Sequence, residues 1–549
     1  VSYYDRQFLG LNPRDFGAKG DGVTDDTLAF QACQAEALAS GINAISFDDG
    51  VYVIGDRTMP TTLSGGCHIL GDIGADGFLF EGTGPGAVLL IGPNQDGAPS
   101  FSVVGLQSVL EPVSKRVTLR NFRIDGNAAN ITIGGQSVTG IGIRSGEDIV
   151  IENVIAHDIP SNNESRGMGF SIGATQDLEF VYRVNVRDCI AYGCAGSGFQ
   201  YLNADQFSSL ENSIAYDNFG PGIYLRNLST SQAARSVFVR NCTAVTGPNS
   251  AGGGFNDVAI ILDASVATPG EDIQLDGCSC LGRFQVNDTN RAFVDDCIIY
   301  ANLSNTLILG GNGSRIVFSN SIIGGGTGGD LIQLTTAGGG GPRIDWAFRN
   351  NVMLPLRRAI NGNVEADAEI DGNVIIYDGT TLGDYQCIFS GTSANSALRF
   401  RRNVLVGDMW AVRMTASVAN AYQQSMIFSD NFFGTGNVNR AVDFQTSGAG
   451  TYASRPVLHN NVLGSSMTRL LSDIDIARFP QDAIIVGGNY DTIDNLLQVA
   501  LPHCLGDGSP SGVVFGRPGD EYTDINGGAG TIHYVKDTGN VTSGGWVAK

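Results

Sequence analysis

Tyr224, Arg226 and Asp263 are the side chains in this chain of 549 residues best placed to do chemistry together. A carboxylate acts as general acid or base when its neighbours shift its pKa. A guanidinium clamps a carboxylate through two parallel hydrogen bonds, and a phenol gives or takes a proton. The three meet if Gly222-Ile223-Tyr224-Leu225-Arg226 and Ala259-Ile260-Ile261-Leu262-Asp263 are adjacent strands, because Arg226 then lies beside Asp263. Further segments align with these two: Gly140-Ile141-Gly142-Ile143-Arg144, Gly169-Phe170-Ser171-Ile172-Gly173, Gly198-Phe199-Gln200-Tyr201-Leu202 and Arg283-Phe284-Gln285-Val286-Asn287. With a side-chain period of two, Ile141, Phe170, Phe199, Ile223, Ile260 and Phe284 point inward. One outward column is then Gly142, Ser171, Gln200, Tyr224, Ile261 and Gln285. The other is Arg144, Gly173, Leu202, Arg226, Asp263 and Asn287.

A flat polar face with an aromatic ring suits a glycan. Gln200, Gln285, Asn287 and Arg144 are the expected binding residues on that face. Glu164 joins them from the long insertion Asn162-Asn163-Glu164-Ser165-Arg166, since long loops on one side form groove walls. Hydrolysis of a glycosidic bond needs a second carboxylate at a set distance. Asp257 and Asp288 are the expected partners, and Asp205 and Asp217 lie in nearby loops too. Elimination would instead rest on Tyr224 and Arg226. Plentiful acids and scarce histidines tilt the expectation slightly to hydrolysis. The plain alternative is an Arg226–Asp263 ion pair on a solvated sheet. His157, Tyr192 and Tyr216 each follow an inward alanine, which reads as a ladder of stacked rings rather than a catalytic base. No pair of histidines has metal spacing, and neither metal nor cofactor is expected.

The elements that must hold such a face are set by a repeated phrase between about Val117 and Asp491. A two-residue turn is followed by one small inward residue and an apolar strand, as in Glu152-Asn153-Val154, Arg240-Asn241-Cys242 and Arg349-Asn350-Asn351. The inward residue begins as Phe122, Val154, Cys189, Ser213, Cys242, Cys278, Cys297 and Ser321. It then becomes Asn351, Asn373, Asn403, Asn431, Asn461 and Asn489. Successive phrases lie about 19 to 36 residues apart, a solenoid period. Equivalent residues then stack at the ~4.8 Å strand spacing. The asparagines should form an amide ladder, and the cysteines a small buried apolar column.

Composition agrees with a β stack: 75 glycines, and charged residues at only 16%. The formal net charge of -22 argues against nucleic acid or an anionic membrane as partner. No run of 18 apolar residues is present, so no membrane insertion is expected. The ten cysteines show no paired metal spacing and read as buried free thiols. Near the start, glycines at 17, 20 and 22 make a loop, Thr24 or Asp25 can cap a helix over about 26–40, and Leu28, Phe30, Cys33 and Leu38 are among its apolar positions. Such a helix closes the open end of a solenoid.

The phrase Asp15-Phe16-Gly17-Ala18-Lys19-Gly20-Asp21-Gly22, followed by Asp25-Asp26-Thr27, resembles the start of the pectate-lyase-like right-handed β-helix superfamily. That group includes polysaccharide lyases, glycoside hydrolases, mannuronan epimerases and phage tailspike depolymerases. The resemblance covers about residues 12–495. Ile155-Ala156-His157-Asp158, Ile190-Ala191-Tyr192-Gly193 and Ile214-Ala215-Tyr216-Asp217 are similar to coil phrases of the epimerase branch. The epimerases, however, carry an acid-Pro-His phrase after a Gly-Phe. Here Gly-Phe is followed by Ser171-Ile172-Gly173 and Gln200-Tyr201-Leu202, which speaks against epimerisation. The tail, with Tyr534-Val535-Lys536, a Gly527-Gly528 turn and Gly545-Trp546, suggests three short strands and resembles the terminal module of phage tail proteins.

The expected fold is therefore all-β: a single-stranded right-handed parallel β-helix with an N-terminal helical cap and a small C-terminal β-module. The expected partition is residues 1–116, 117–495 and 496–549. The resemblance implies a polysaccharide depolymerase, hydrolase or lyase, that cleaves a bacterial surface glycan. It would be a homotrimeric phage tailspike on the virion tail, or extracellular. The alternatives are a non-catalytic glycan-binding spike and a secreted microbial carbohydrase.

Overall fold

The computed structural model describes residues 10–55, 67–71, 73–93, 101–107, 114–131, 137–161, 167–173, 181–202, 206–227, 236–246, 257–264, 272–287, 289, 291–301, 305–310, 315–326, 329–335, 345–364, 367–377, 385–391, 396–407, 409–416, 421–422, 425–435, 441–446, 453, 456–464, 485–487, 490–491, 503–506, 521–524, 533–536 and 546–548. The chain divides into two compact units, residues 1–299 and 300–549.

In residues 1–299, successive coils give one strand to each of three parallel sheets. The first sheet includes Gly146–Glu152, Val181–Arg187, Gln206–Glu211, Ser236–Arg240 and Asp272–Asp276. The second includes Arg123–Asp125, Ile155–His157, Ile190–Tyr192, Ile214–Asn218 and Thr243–Thr246. The third includes Val138–Ile143, Gly167–Ile172, Phe199–Leu202, Ile223–Asn227, Val258–Ala264 and Arg283–Asn287. The turn triplets join the first sheet to the second. Their middle residues adopt left-handed backbone, with φ of 51° at Asn153, 54° at Asp188, 49° at Asn212 and 62° at Gly277. Asn, Asp and Gly enter that region at least cost, so the repeated phrase and the turn have one cause. The next residue is driven inward, and Val154, Cys189, Ser213, Cys242 and Cys278 are all buried. Nine of the ten cysteines, all but Cys504, are free and buried among the described residues, and burial pushes the Cys189 thiol up to about 12.

The N-terminal helix is Thr27–Ala39, and its cap is Asp26 rather than Thr24 or Asp25. The Asp26 carboxylate accepts from the Lys19 amide at 2.6 Å and the Gly20 amide at 3.0 Å, which pins the glycine loop to the helix start. Phe30, Cys33 and Ala37 form the buried stripe, and Leu28 is instead 73% exposed. The Phe30 ring meets Phe47 at 5.5 Å and Tyr52 at 5.3 Å, so the helix plugs this end of the core with aromatic edges.

Residues 300–549 repeat the three-sheet plan. Here the inward column is the predicted amide ladder from Asn351 to Asn461, while Asn489 lies outside the described residues. Asn351, Asn373, Asn403 and Asn431 each donate to the next side-chain oxygen, that of Asn373, Asn403, Asn431 and Asn461, at 2.9–3.1 Å. The same Nδ2 groups donate to the carbonyls of Phe318, Phe348, Ile370 and Phe400 at 2.8–3.0 Å. Each Oδ1 also accepts a backbone amide one coil back, as Asn373 does from Asn351 at 2.9 Å. A buried amide with its donors and acceptor used stabilises the core instead of straining it. Arg402 holds a left-handed turn at φ 55°, and its two hydrogen bonds to Asp371, at 2.8 and 2.6 Å, offset that cost. The tail has four strands where three were expected. His503–Gly506 runs parallel to Glu521–Asp524, and His533–Lys536 and Trp546–Ala548 follow antiparallel.

Candidate functional site

The third sheet of residues 1–299 has the expected register pair for pair. Phe199, Ile223, Ile260 and Phe284 stack inward; Gln200, Tyr224, Ile261 and Gln285 form one outward column. Leu202, Arg226, Asp263 and Asn287 form the other. Gly173, next to Leu202, sits at φ 126°, where a Cβ would lie 1.6 Å from the Leu202 carbonyl oxygen, so only glycine fits there.

The outer face differs from expectation in one respect. It is not a flat solvated surface, because Gln200, Tyr224 and Ile261 are buried. Tyr224 and Ile261 pack with Val258 in a small apolar cluster on the outer side. Val258 reaches that side through a bulge: the strand spends Val258 to Ile260 against only Arg283 to Phe284 in its neighbour.

The Tyr224 hydroxyl donates to Asp263 Oδ2 at 3.1 Å. Arg226 Nε lies 3.8 Å from the same oxygen, and its guanidinium carbon lies 5.6 Å from the Tyr224 ring centre. The Arg226 and Asp263 side chains keep 37% and 28% exposure, so the charged end of the cluster is open. Burial, and then the Asp263 charge, push the Tyr224 phenol above its ordinary range. The phenol thus keeps its proton and acts as a lasting donor to Asp263. Arg226 Nε is buried with no hydrogen-bond partner among the described residues.

The other expected residues are less available. Asp257 is gripped by Arg283 at both oxygens, at 2.6 and 3.0 Å. Gln285 donates to Asn287 Oδ1 at 3.0 Å. Arg144 is half-buried beyond the end of Val138–Ile143. Glu164, Asp288 and Asp205 lie outside the described residues. His157, Tyr192 and Tyr216 do form the expected ring ladder, with centroids 4.8 and 4.9 Å apart and planes within 3° and 9° of parallel.

Residues 300–549 contain a second cluster that the sequence reading missed. Tyr385 donates from its hydroxyl to Asp443 Oδ2. Arg413 Nε lies 3.8 Å from that oxygen, with the guanidinium carbon 4.0 Å from the Tyr385 ring centre. Arg413 and Asp443 are register neighbours on Trp410–Ala416 and Val442–Thr446, as Arg226 and Asp263 are on their strands. Aligning the later coils by the same inward period would have found them.

Residues 10–247 match the family model described as Rhamnogalacturonase A/epimerase, pectate lyase-like. The chain thus carries a pectate-lyase-like domain within a parallel β-helix fold. Mannuronan C5-epimerase AlgE1 of Azotobacter vinelandii is 29% identical over 211 residues, spanning 38% of this chain but only 14% of that protein. Depolymerase 1, capsule KN3-specific, of Klebsiella phage KN3-1 is 26% identical over 155 residues, covering 28% of this chain and 18% of its own length. Among solved structures, a tailspike protein of E. coli bacteriophage HK620 in complex with hexasaccharide superposes with a TM-score of 0.48 at 12% identity, over 84% of this chain and 80% of that one.

Proposed function

We propose that the chain is a polysaccharide depolymerase acting on a bacterial surface or extracellular glycan, carried as a phage tailspike. The relatives support a glycan substrate, since their names give mannuronan and a capsule as what they act on. The observation that carries the reading is the half-open Tyr224–Asp263–Arg226 cluster. Asp263 accepts the proton, Arg226 neutralises an acidic group on the sugar, and Tyr224 holds Asp263 in place.

Elimination is the chemistry this cluster supports best. Asp263 removes the proton beside a uronate carboxylate that Arg226 neutralises. The β C–O bond then breaks, its electron pair leaves with the departing sugar, and a double bond remains. Hydrolysis needs two carboxylates about 5 to 9.5 Å apart, and Asp257 is bound to Arg283. Hydrolysis stays the second reading because Asp288 follows directly on Asn287, the register neighbour of Asp263.

A homotrimer fits the same reading. In residues 300–549, Ile322, Leu354, Ile376, Val406 and Phe432 are exposed on the strands of the second sheet, an apolar face of the kind that marks an interface. Residues 1–116 would close one end, 117–495 carry the groove, and 496–549 form the terminal module. The site is the virion tail or the extracellular space.

The test is incubation with neutral and uronate-containing bacterial polysaccharides, following reducing ends and the ultraviolet absorbance of a new double bond. Both signals mean elimination; reducing ends alone mean hydrolysis. Binding without either signal would mean a receptor spike that only grips glycan. A monomer with activity would favour a secreted carbohydrase.

A further inference from the structure

We propose that Asp125, His157 and Asp158 bind a divalent transition cation, of which zinc is the type, and that the ion staples two consecutive coils of residues 1–299. Their ligand atoms all lie within 4.8 Å of one another. Two of the residues come from neighbouring strands in direct register: Asp125 at the end of Arg123–Asp125 pairs with His157 at the end of Ile155–His157. Asp158 is the next residue, and its left-handed backbone, φ 51°, turns the carboxylate back so that Oδ2 lies 2.8 Å from His157 Nδ1.

The histidine is prepared for this role. Its ring is stacked on Tyr192 at 4.8 Å and 3°, and the side chain is only 14% exposed, so its orientation is set before any ion arrives. Asp158 remains 51% exposed, which leaves a path for the ion. Space for its carboxylate is made by Gly193, where a Cβ would lie 2.4 Å from Asp158 Oδ1. The backbone binds the parts together: the Gly126 amide donates to the His157 carbonyl at 2.7 Å, and the Asp158 amide to the Tyr192 carbonyl at 3.0 Å. Asp125 accepts the Asn127 amide at 2.8 Å, which fixes the second carboxylate.

One imidazole nitrogen and two carboxylates, with water completing the shell, is a nitrogen–oxygen set that suits zinc or manganese. Calcium and magnesium take all-oxygen shells and fit less well. The cation takes the place of a proton between His157 Nδ1 and Asp158, so binding releases that proton where the nitrogen carries it. The sequence reading expected no metal because it sought histidine pairs. The third ligand here comes from the previous coil, and only strand register brings it near.

The test uses the whole chain, stripped with a chelator and titrated calorimetrically with zinc chloride. One zinc per chain is expected, and thermal unfolding should shift upward in its presence. Asp125→Asn keeps the ring ladder and the His157–Asp158 contact, so it should fold, and it should weaken binding at least about tenfold. His157→Gln should abolish the same binding. Cobalt in place of zinc should give a visible band that shifts or vanishes in His157→Gln. No binding up to about 1 mM, or binding unchanged in both variants, would overturn the site.

Discussion

Tyr224 and Tyr385 each donate a hydrogen bond to a carboxylate whose same oxygen an arginine approaches to 3.8 Å, yet Asp263 is 28% exposed and Asp443 only 3%. In residues 300–549 the cluster is closed on itself. Arg413 lies nearer its tyrosine ring, at 4.0 Å against 5.6 Å for Arg226. Trp410 adds an edge contact to Tyr385 at 4.7 Å, and Gln445 gives Asp443 a further donor at 2.8 Å. A carboxylate satisfied in that way ties three coils together. Asp263 has the same tyrosine and arginine but keeps an open side. The residue types are therefore shared, and exposure separates a buried tie from the proposed site.

The largest difference should appear in turnover. Asp263→Asn keeps the size and the Tyr224 contact but removes the proton acceptor, so depolymerase activity should fall by at least about a hundredfold. Asp443→Asn should leave activity within a few fold. Rates of glycan cleavage by the two purified variants decide it. Equal losses in both would end the contrast, because Asp443 would then be acting on substrate or setting the site through the fold.

Stability should show the reverse order. Asp443→Ala leaves a buried phenol and an amide without their acceptor and a guanidinium without its neighbouring charge, and should cost about 2–3 kcal/mol in urea unfolding. Asp263→Ala breaks a half-exposed contact and should cost under about 1 kcal/mol. The apolar face gives a third test of which unit carries which task. Ile376→Lys, on the exposed second sheet of residues 300–549, should lower the oligomeric state by light scattering without unfolding the chain.

The comparison also shows what the sequence makes legible. The turn triplets were readable because Asn153, Asp188 and Asn350 each occupy a left-handed position that few residues tolerate. The strand register from Phe199 to Phe284 was readable because inward side chains recur with period two. Periodicity assigns a residue to one side of a sheet and is silent on what lies over it. That is why Gln200 and Tyr224 were expected at the surface and are buried. Side-chain grips beside a bulge were hidden for a related reason. The Arg283 grip on Asp257 depends on a bulge at Val258 to Ile260, which no repeat announces. Leu28 misled because the helix start gave several apolar residues and no rule for which face meets Phe47 and Tyr52.

The smallest effect lies in the two phenols, and it tests whether both clusters share one electrostatic origin. Burial is the first cause that raises each, with the neighbouring aspartate adding to it. A phenol raised in the folded state keeps its proton where the unfolded chain has lost it. Its contribution to stability is then full below the ordinary value of about 10 and is lost as pH rises toward the folded value. Tyr224→Phe and Tyr385→Phe each remove one phenol, so the difference between wild-type and variant tyrosinate absorbance isolates it. Both difference curves should have midpoints well above about 10. In an Asp263→Asn background the Tyr224 curve should move down by only part of its displacement, since burial remains after the charge is gone. A return to the ordinary range would mean that Asp263, rather than burial among Val258 and Ile261, governs this phenol. The open cluster would then be set by its charges, unlike the closed one.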